Sequence, residues 1–168
     1  PSVNAVVEPE LNKMTPSGVS IHIARMFIPR PFSLEALKIM DKDLERAIRN
    51  IASLKPDAIA FACTSGSFFK GADWDKCIID KIKNATGIPT TTTSTAVVKA
   101  LQELGIDRVV AITPYTNEIN KKLRDFLEQH NFGVLCVEGL QLKEGFHKVA
   151  PSEIYEFVLK KADTSAAN

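Results

Sequence analysis

Apolar residues return at three- and four-residue spacing through residues 33–54, at Leu37, Met40, Leu44, Ala47, Ile48 and Ile51, and this spacing predicts one long amphipathic helix. Ahead of it, residues 19–26 (VSIHIARM) alternate apolar and polar positions, which predicts a strand with one covered face. Residues 57–62 run apolar without alternation through Ala58, Ile59, Ala60, Phe61 and Ala62, the pattern of a strand covered on both faces. Helices follow over residues 72–84 and 95–104, closed by Gly87 and Gly105, which suit the left-handed cap. A strand over 108–112, a helix over 116–130, a short strand over 134–137 and a helix over 152–162 complete the series, and a further periodic helix opens behind Pro1-Ser2-Val3-Asn4. Such alternation defines the fold class as α/β, a mainly parallel sheet flanked by helices.

An internal echo refines the organisation. Pro1-Ser2-Val3-Asn4 and Pro114-Tyr115-Thr116-Asn117 each open a helix, the second immediately after a strand, and the two segments read as equivalents. On that equivalence the strand before Pro1 and the counterpart of Cys63 fall outside the 168 residues, so the chain reads as truncated at both ends.

Composition narrows the partners. Apolar residues make up 45% and charged residues 24%, ordinary for a globular protein, and a net charge of +1 with scattered basic residues favours neither nucleic acid nor an anionic membrane. A small molecule is the expected partner, and association between copies of the chain is compatible with the sequence. No apolar run approaches a membrane span and no signal peptide is recognisable, so a cytoplasmic location is expected. Cys63, Cys77 and Cys136 form no CxxC pair and stand far in sequence from His22, His130 and His147, which argues for reduced thiols with neither a metal site nor a disulfide framework.

The candidate chemistry gathers where residues 57–62 end. In parallel sheets ligands bind just past the strand carboxyl ends, and Cys63 is the first residue past this one. Thr64, Ser65, Gly66 and Ser67 add hydroxyls and backbone N–H groups able to hold an anion such as a carboxylate, and these donors are expected to stabilise a Cys63 thiolate near neutral pH. The alternative is a small buried hydrophobe in a turn whose hydroxyls only cap the next helix. Tyr115 follows the 108–112 strand, where a phenol donates to an oxyanion or packs under a loop. Asn4, at the mirrored position, binds a carboxylate or caps its own helix. Cys77 and Cys136 read as structural, the 90–95 run TTTTST as a short strand or more hydroxyl donors, His22 and His130 as solvated, His147 as a loop residue without a tie to Cys63, and Trp74 as core.

These residues resemble the cofactor-independent Asp/Glu racemase superfamily, and within it the arylmalonate decarboxylase and maleate cis-trans isomerase branch. The likeness is carried by Pro1-Ser2-Val3-Asn4 with Glu8, by Cys63-Thr64-Ser65 and the Ser67-Phe68-Phe69-Lys70-Gly71 that follows, by residues 85–89 leading to Ser94-Thr95-Ala96, and by Thr113-Pro114-Tyr115. It implies two pseudo-symmetric α/β lobes, here residues 1–95 carrying Cys63 and residues 96–168 as an incomplete second lobe, with the site between them and neither metal nor organic cofactor. It also implies that Thr64, Ser65 and Tyr115 hold a substrate carboxylate, with Asn4 beside them. Family chemistry places a second cysteine across the substrate, and here that segment would begin after Asn168. The decarboxylases carry glycine where this chain has Cys63, and the asparagine expected of maleate isomerases is lacking from residues 136–151. The function expected is therefore a cofactor-independent isomerase, a racemase or cis-trans isomerase of a small carboxylate or dicarboxylate, with Cys63 as the reacting thiol. An arylmalonate-type decarboxylase and a non-catalytic carboxylate-binding module are the alternatives.

Overall fold

A computed structural model describes residues 1–161, and the end of the last expected helix at Ala162, with the polar run behind it, lies outside the described residues. Helix α1 spans Val7–Met14, α2 Leu34–Asp41, α3 Leu44–Ala52, α4 Thr64–Phe68, α5 Ala72–Thr86, α6 Thr93–Glu103, α7 Asn117–Gln129 and α8 Pro151–Lys161. Strands are β1 Ile59–Phe61, β2 Thr90–Thr92, β3 Arg108–Thr113 and β4 Gly133–Gly139.

The strands pair in parallel as β1 with β2 and β3 with β4. Helices α4 and α5 carry the chain from β1 to β2, and α7 carries it from β3 to β4, the crossover that parallel pairing demands. Gly87 ends α5 in the left-handed conformation, as its place in the sequence predicts. Between these layers sits the core, where Leu37 and Met40 of α2, Phe68 of α4, Ile78 of α5 and Ile119 and Phe126 of α7 are almost wholly buried. Phe68 lies 6.3 Å from Phe126, ring centre to ring centre, and so joins the helix behind β1 to the helix behind β3.

Four expectations are corrected. Residues 33–54 form two helices, because Lys42 and Asp43 turn back onto the Ile39 and Met40 carbonyls and the Asp43 carboxylate is claimed from outside the helix. It accepts the Phe27 N–H at 2.8 Å and both arms of the Arg46 guanidinium at 2.6 and 2.7 Å. Residues 19–26 make no strand, since alternation gives a face but a ladder needs a neighbour. The nearby backbone partners lie elsewhere: Met26 accepts from the Ser2 N–H, and Ile28 donates to the Ser2 hydroxyl. Strand β1 is covered on one face only, with Ile59 and Phe61 buried but Ala58, Ala60 and Ala62 exposed along a cavity of about 330 Å³ that separates it from residues 20–26. Finally, His130 is only partly solvated: the residue is half-buried, its ring stands edge-on to Phe126 at 4.7 Å and its Nε2 is shielded. The threonine run resolves into strand β2 leading straight into α6.

Candidate active site

Cys63 leaves β1 in extended conformation and becomes the residue before α4, so the expected turn is itself a single helical turn. The Ser67 hydroxyl fastens it by donating to the carbonyls of Thr64 at 2.9 Å and Cys63 at 3.1 Å, and it meets the Ser94 hydroxyl of α6 at 2.6 Å. From the other side the Trp74 indole N–H donates to the Gly66 carbonyl at 3.1 Å. Gly66 has a steric reason to lack a side chain, because a Cβ there would stand 2.9 Å from the Cys63 sulfur and 2.8 Å from the Met40 terminal methyl.

Tyr115 arrives from the second parallel pair. The Thr113 hydroxyl accepts the Tyr115 N–H at 3.0 Å and donates to the Asn120 side-chain oxygen at 2.6 Å, so the turn after β3 is tied to α7. Its ring stacks on Phe32 at 5.9 Å and meets Phe68 and Phe146 edge-on. Burial raises the pKa of the phenol most and the neighbouring Cys63 next, while the Ser65 and Thr64 hydroxyls and the Ser65 N–H, at which the phenol is directed, lower it; the balance raises it to about 12. Tyr115 is therefore a neutral donor at any physiological pH.

Asn4 turns its carbonyl inward to its own chain, accepting the N–H groups of Val6 at 3.0 Å and Val7 at 3.1 Å. Capping thus occupies its oxygen, while the residue still borders the cavity.

That cavity, about 300 Å³, is bordered by all five expected residues, Asn4, Cys63, Thr64, Ser65 and Tyr115. Sequence reasoning missed Ile28, Phe32 and Phe146, which also line the cavity, and it left His147 unconnected although the same cavity reaches it. Phe32 follows Pro29-Arg30-Pro31 beyond residues 19–26, which form no strand, so the strand-end argument that singled out Cys63 does not reach it. Phe146 enters through a loop held by the Phe32 N–H to the Lys143 carbonyl at 2.8 Å, a contact with no sequence signal.

The state of the thiol differs from expectation. Burial pushes the Cys63 pKa above its ordinary value, and the Gly66 N–H and the Ser65 hydroxyl, 3.9 Å from the sulfur, offset this only partly. Cys63 rests as a neutral thiol at neutral pH. A five-residue helix supplies too few aligned peptide dipoles to reverse the cost of removing charge from water. Among the described residues no three His, Cys, Asp or Glu side chains stand close enough to hold a metal ion, and no helix is long and apolar enough to cross a membrane.

An α/β scaffold whose parallel strands deliver a thiol, two hydroxyls and a phenol to one cavity defines a class of protein that handles small molecules at strand carboxyl ends. The family model for arylmalonate decarboxylase matches residues 4–168, and the chain belongs to this family, in the Asp/Glu racemase-like branch that includes the maleate isomerases. It is 28% identical over 141 residues to arylmalonate decarboxylase of Bordetella bronchiseptica, covering 78% of this chain and 57% of that protein. It is also 28% identical over 153 residues to maleate isomerase of Nocardia farcinica, covering 86% and 61%. A solved structure of Nocardia farcinica maleate cis-trans isomerase, a cysteine-to-serine variant with a covalently bound succinylcysteine intermediate, superposes with a TM-score of 0.88 at 25% identity, over 98% of this chain and 71% of that one. The chain thus spans about three-fifths of the length of the curated relatives it matches.

Proposed function

We propose that this chain carries the thiol-bearing part of a cofactor-independent isomerase of a small carboxylate or dicarboxylate. The observation that carries the reading is the convergence of Cys63, Thr64, Ser65 and Tyr115 on a single cavity. Racemisation and cis-trans isomerisation share an intermediate in which negative charge builds on the substrate carboxylate as an enediolate. Neutral donors aimed at that charge are what such a step needs, and each well-placed donor contributes about 3 kcal/mol. In a racemase a second acid/base group takes the substrate α-proton from one face to form the enediolate, and the Cys63 thiol, protonated at rest, delivers its own proton to the other face of that carbon. In a cis-trans isomerase the thiol gives its proton to solvent, the sulfur bonds to one alkene carbon as the π pair moves into the carboxylate to form the enediolate, rotation follows about the resulting single bond, and the pair returns to re-form the double bond as the sulfur leaves. The succinylcysteine held by the Nocardia farcinica neighbour supports the second route for this chain.

The aromatic wall of Phe32, Tyr115 and Phe146 favours one further reading, an arylmalonate-type decarboxylation in which the same thiol protonates the carbanion left by loss of carbon dioxide.

Incubation with maleate, followed by proton NMR for fumarate and by intact mass for an adduct mapped to Cys63, tests the isomerase. Cys63→Ala should abolish both signals while leaving the fold and maleate binding in place. Failure of maleate and of small α-substituted acids to react or bind would overturn the isomerase, and carbon dioxide release from phenylmalonate would replace it with the decarboxylase.

A further inference from the structure

The wall behind the Cys63 turn is polar where a core is normally apolar. Asp75 of α5, Thr92 at the end of β2, Ser94 of α6 and Ser65 and Ser67 of α4 are all buried. The Asp75 carboxyl group, 3% exposed, accepts the Thr92 hydroxyl at 2.5 Å on one oxygen and the Thr95 hydroxyl on the other. Having given away its proton, the Thr92 oxygen accepts the Thr95 N–H at 3.0 Å and so caps α6. Between Thr92 and Thr95 stands Ser94, whose hydroxyl pairs with Ser67 at 2.6 Å and reaches the Thr64 carbonyl at 3.2 Å. An unbroken run of hydrogen bonds and one helical turn therefore connects a carboxyl group on α5 to the backbone of the cysteine turn.

We propose that Asp75 is a positioning residue for Cys63, clamping the first turn of α6 so that Ser94 and Ser67 hold the 63–67 backbone in register with the thiol. Burying a carboxyl group is costly unless it is hydrogen-bonded, and here each of its oxygens accepts a hydroxyl from the first turn of α6 or its cap. What the clamp secures is the aim of the Gly66 N–H and the Ser65 hydroxyl at the sulfur, the two groups of this turn that stabilise its thiolate. The inference rests on the proposed function only in treating Cys63 as the reacting group, and its test needs no turnover.

The test is alkylation by iodoacetamide across a pH series, with the three cysteines read separately by peptide mass. Cys77 lies two residues from Asp75 on the same helix and Cys136 lies on β4, so both report general loosening of the fold. In Asp75→Asn, which keeps the shape but loses one acceptor, the pH midpoint for Cys63 should rise and its rate at neutral pH should fall by about threefold or more. Cys77 and Cys136 should keep their wild-type profiles. Thr95→Val should reproduce the change for Cys63 and Thr95→Ser should restore it, which keeps the test decisive if Asp75→Asn fails to fold. An unchanged or lowered midpoint for Cys63, or a parallel shift of all three thiols, overturns the proposal. If Cys63 responds as expected while the wild-type protein neither binds nor converts any carboxylate, the clamp stands and the isomerase reading falls.

Discussion

Gly139, the last residue of β4, passes so close to the turn after β3 that an alanine there has nowhere to go. Its Cβ would stand 2.2 Å from the Tyr115 carbonyl oxygen and 2.5 Å from the Asn120 side-chain nitrogen. Opening the first contact to about 3.2 Å requires backbone displacement of about 1 Å, because the obstacle is a main-chain carbonyl that no rotamer change can withdraw. The same carbonyl accepts the Gln141 N–H at 3.3 Å, and Leu142 donates to the Pro114 carbonyl at 2.9 Å, so the displacement strains this pairing as well. Overpacking of this kind costs about 2–3 kcal/mol, which for a chain of this size lowers Tm by about 4–12 °C. The functional loss should exceed the stability loss, since a shift of about 1 Å at a positioned group is worth about a hundredfold in rate. Differential scanning fluorimetry with urea titration gives the first quantity, and carboxylate affinity or turnover at a temperature well below the lowered Tm gives the second. A Gly139→Ala protein with wild-type Tm and wild-type ligand affinity would refute the claim that this approach fixes Tyr115.

Two further outcomes follow from the same geometry. Tyr115→Phe keeps the ring against Phe32 and Phe68 but deletes the phenol donor, so Tm should hold while carboxylate affinity or rate falls by about a hundredfold; equal kinetics for the two proteins would remove Tyr115 from the site. The Asp43 carboxylate, lowered from 3.8 to about 2 by its hydrogen bond to Arg46 and then by the Phe27 N–H, adds stability that is fully present above about pH 4 and is lost as pH falls towards 2. The contribution is on the order of 1 kcal/mol because the pair is solvent-screened, and urea midpoints measured down this range should fall more steeply for wild type than for Asp43→Asn; parallel curves would show that the carboxylate is not held.

Periodicity alone was enough for the elements that bury one face against a neighbour close in sequence. The apolar spacing of α5 and α7 made those helices legible, and the glycines at 87 and 105 marked the ends of α5 and α6, because a cap and a 3.6-residue repeat are local properties. The same holds for Cys63, whose place just past a strand end follows from chain order. What chain order could not supply was anything set by a partner distant in sequence. Residues 19–26 have the alternation of a strand without a ladder, and residues 33–54 have the period of one helix but break where Asp43 is drawn to Phe27. The charge state of the thiol belongs to the same group. Sequence put N–H donors beside Cys63, yet whether they outweigh desolvation depends on how far the fold removes the sulfur from water, and three-dimensional packing decided that in favour of the neutral form.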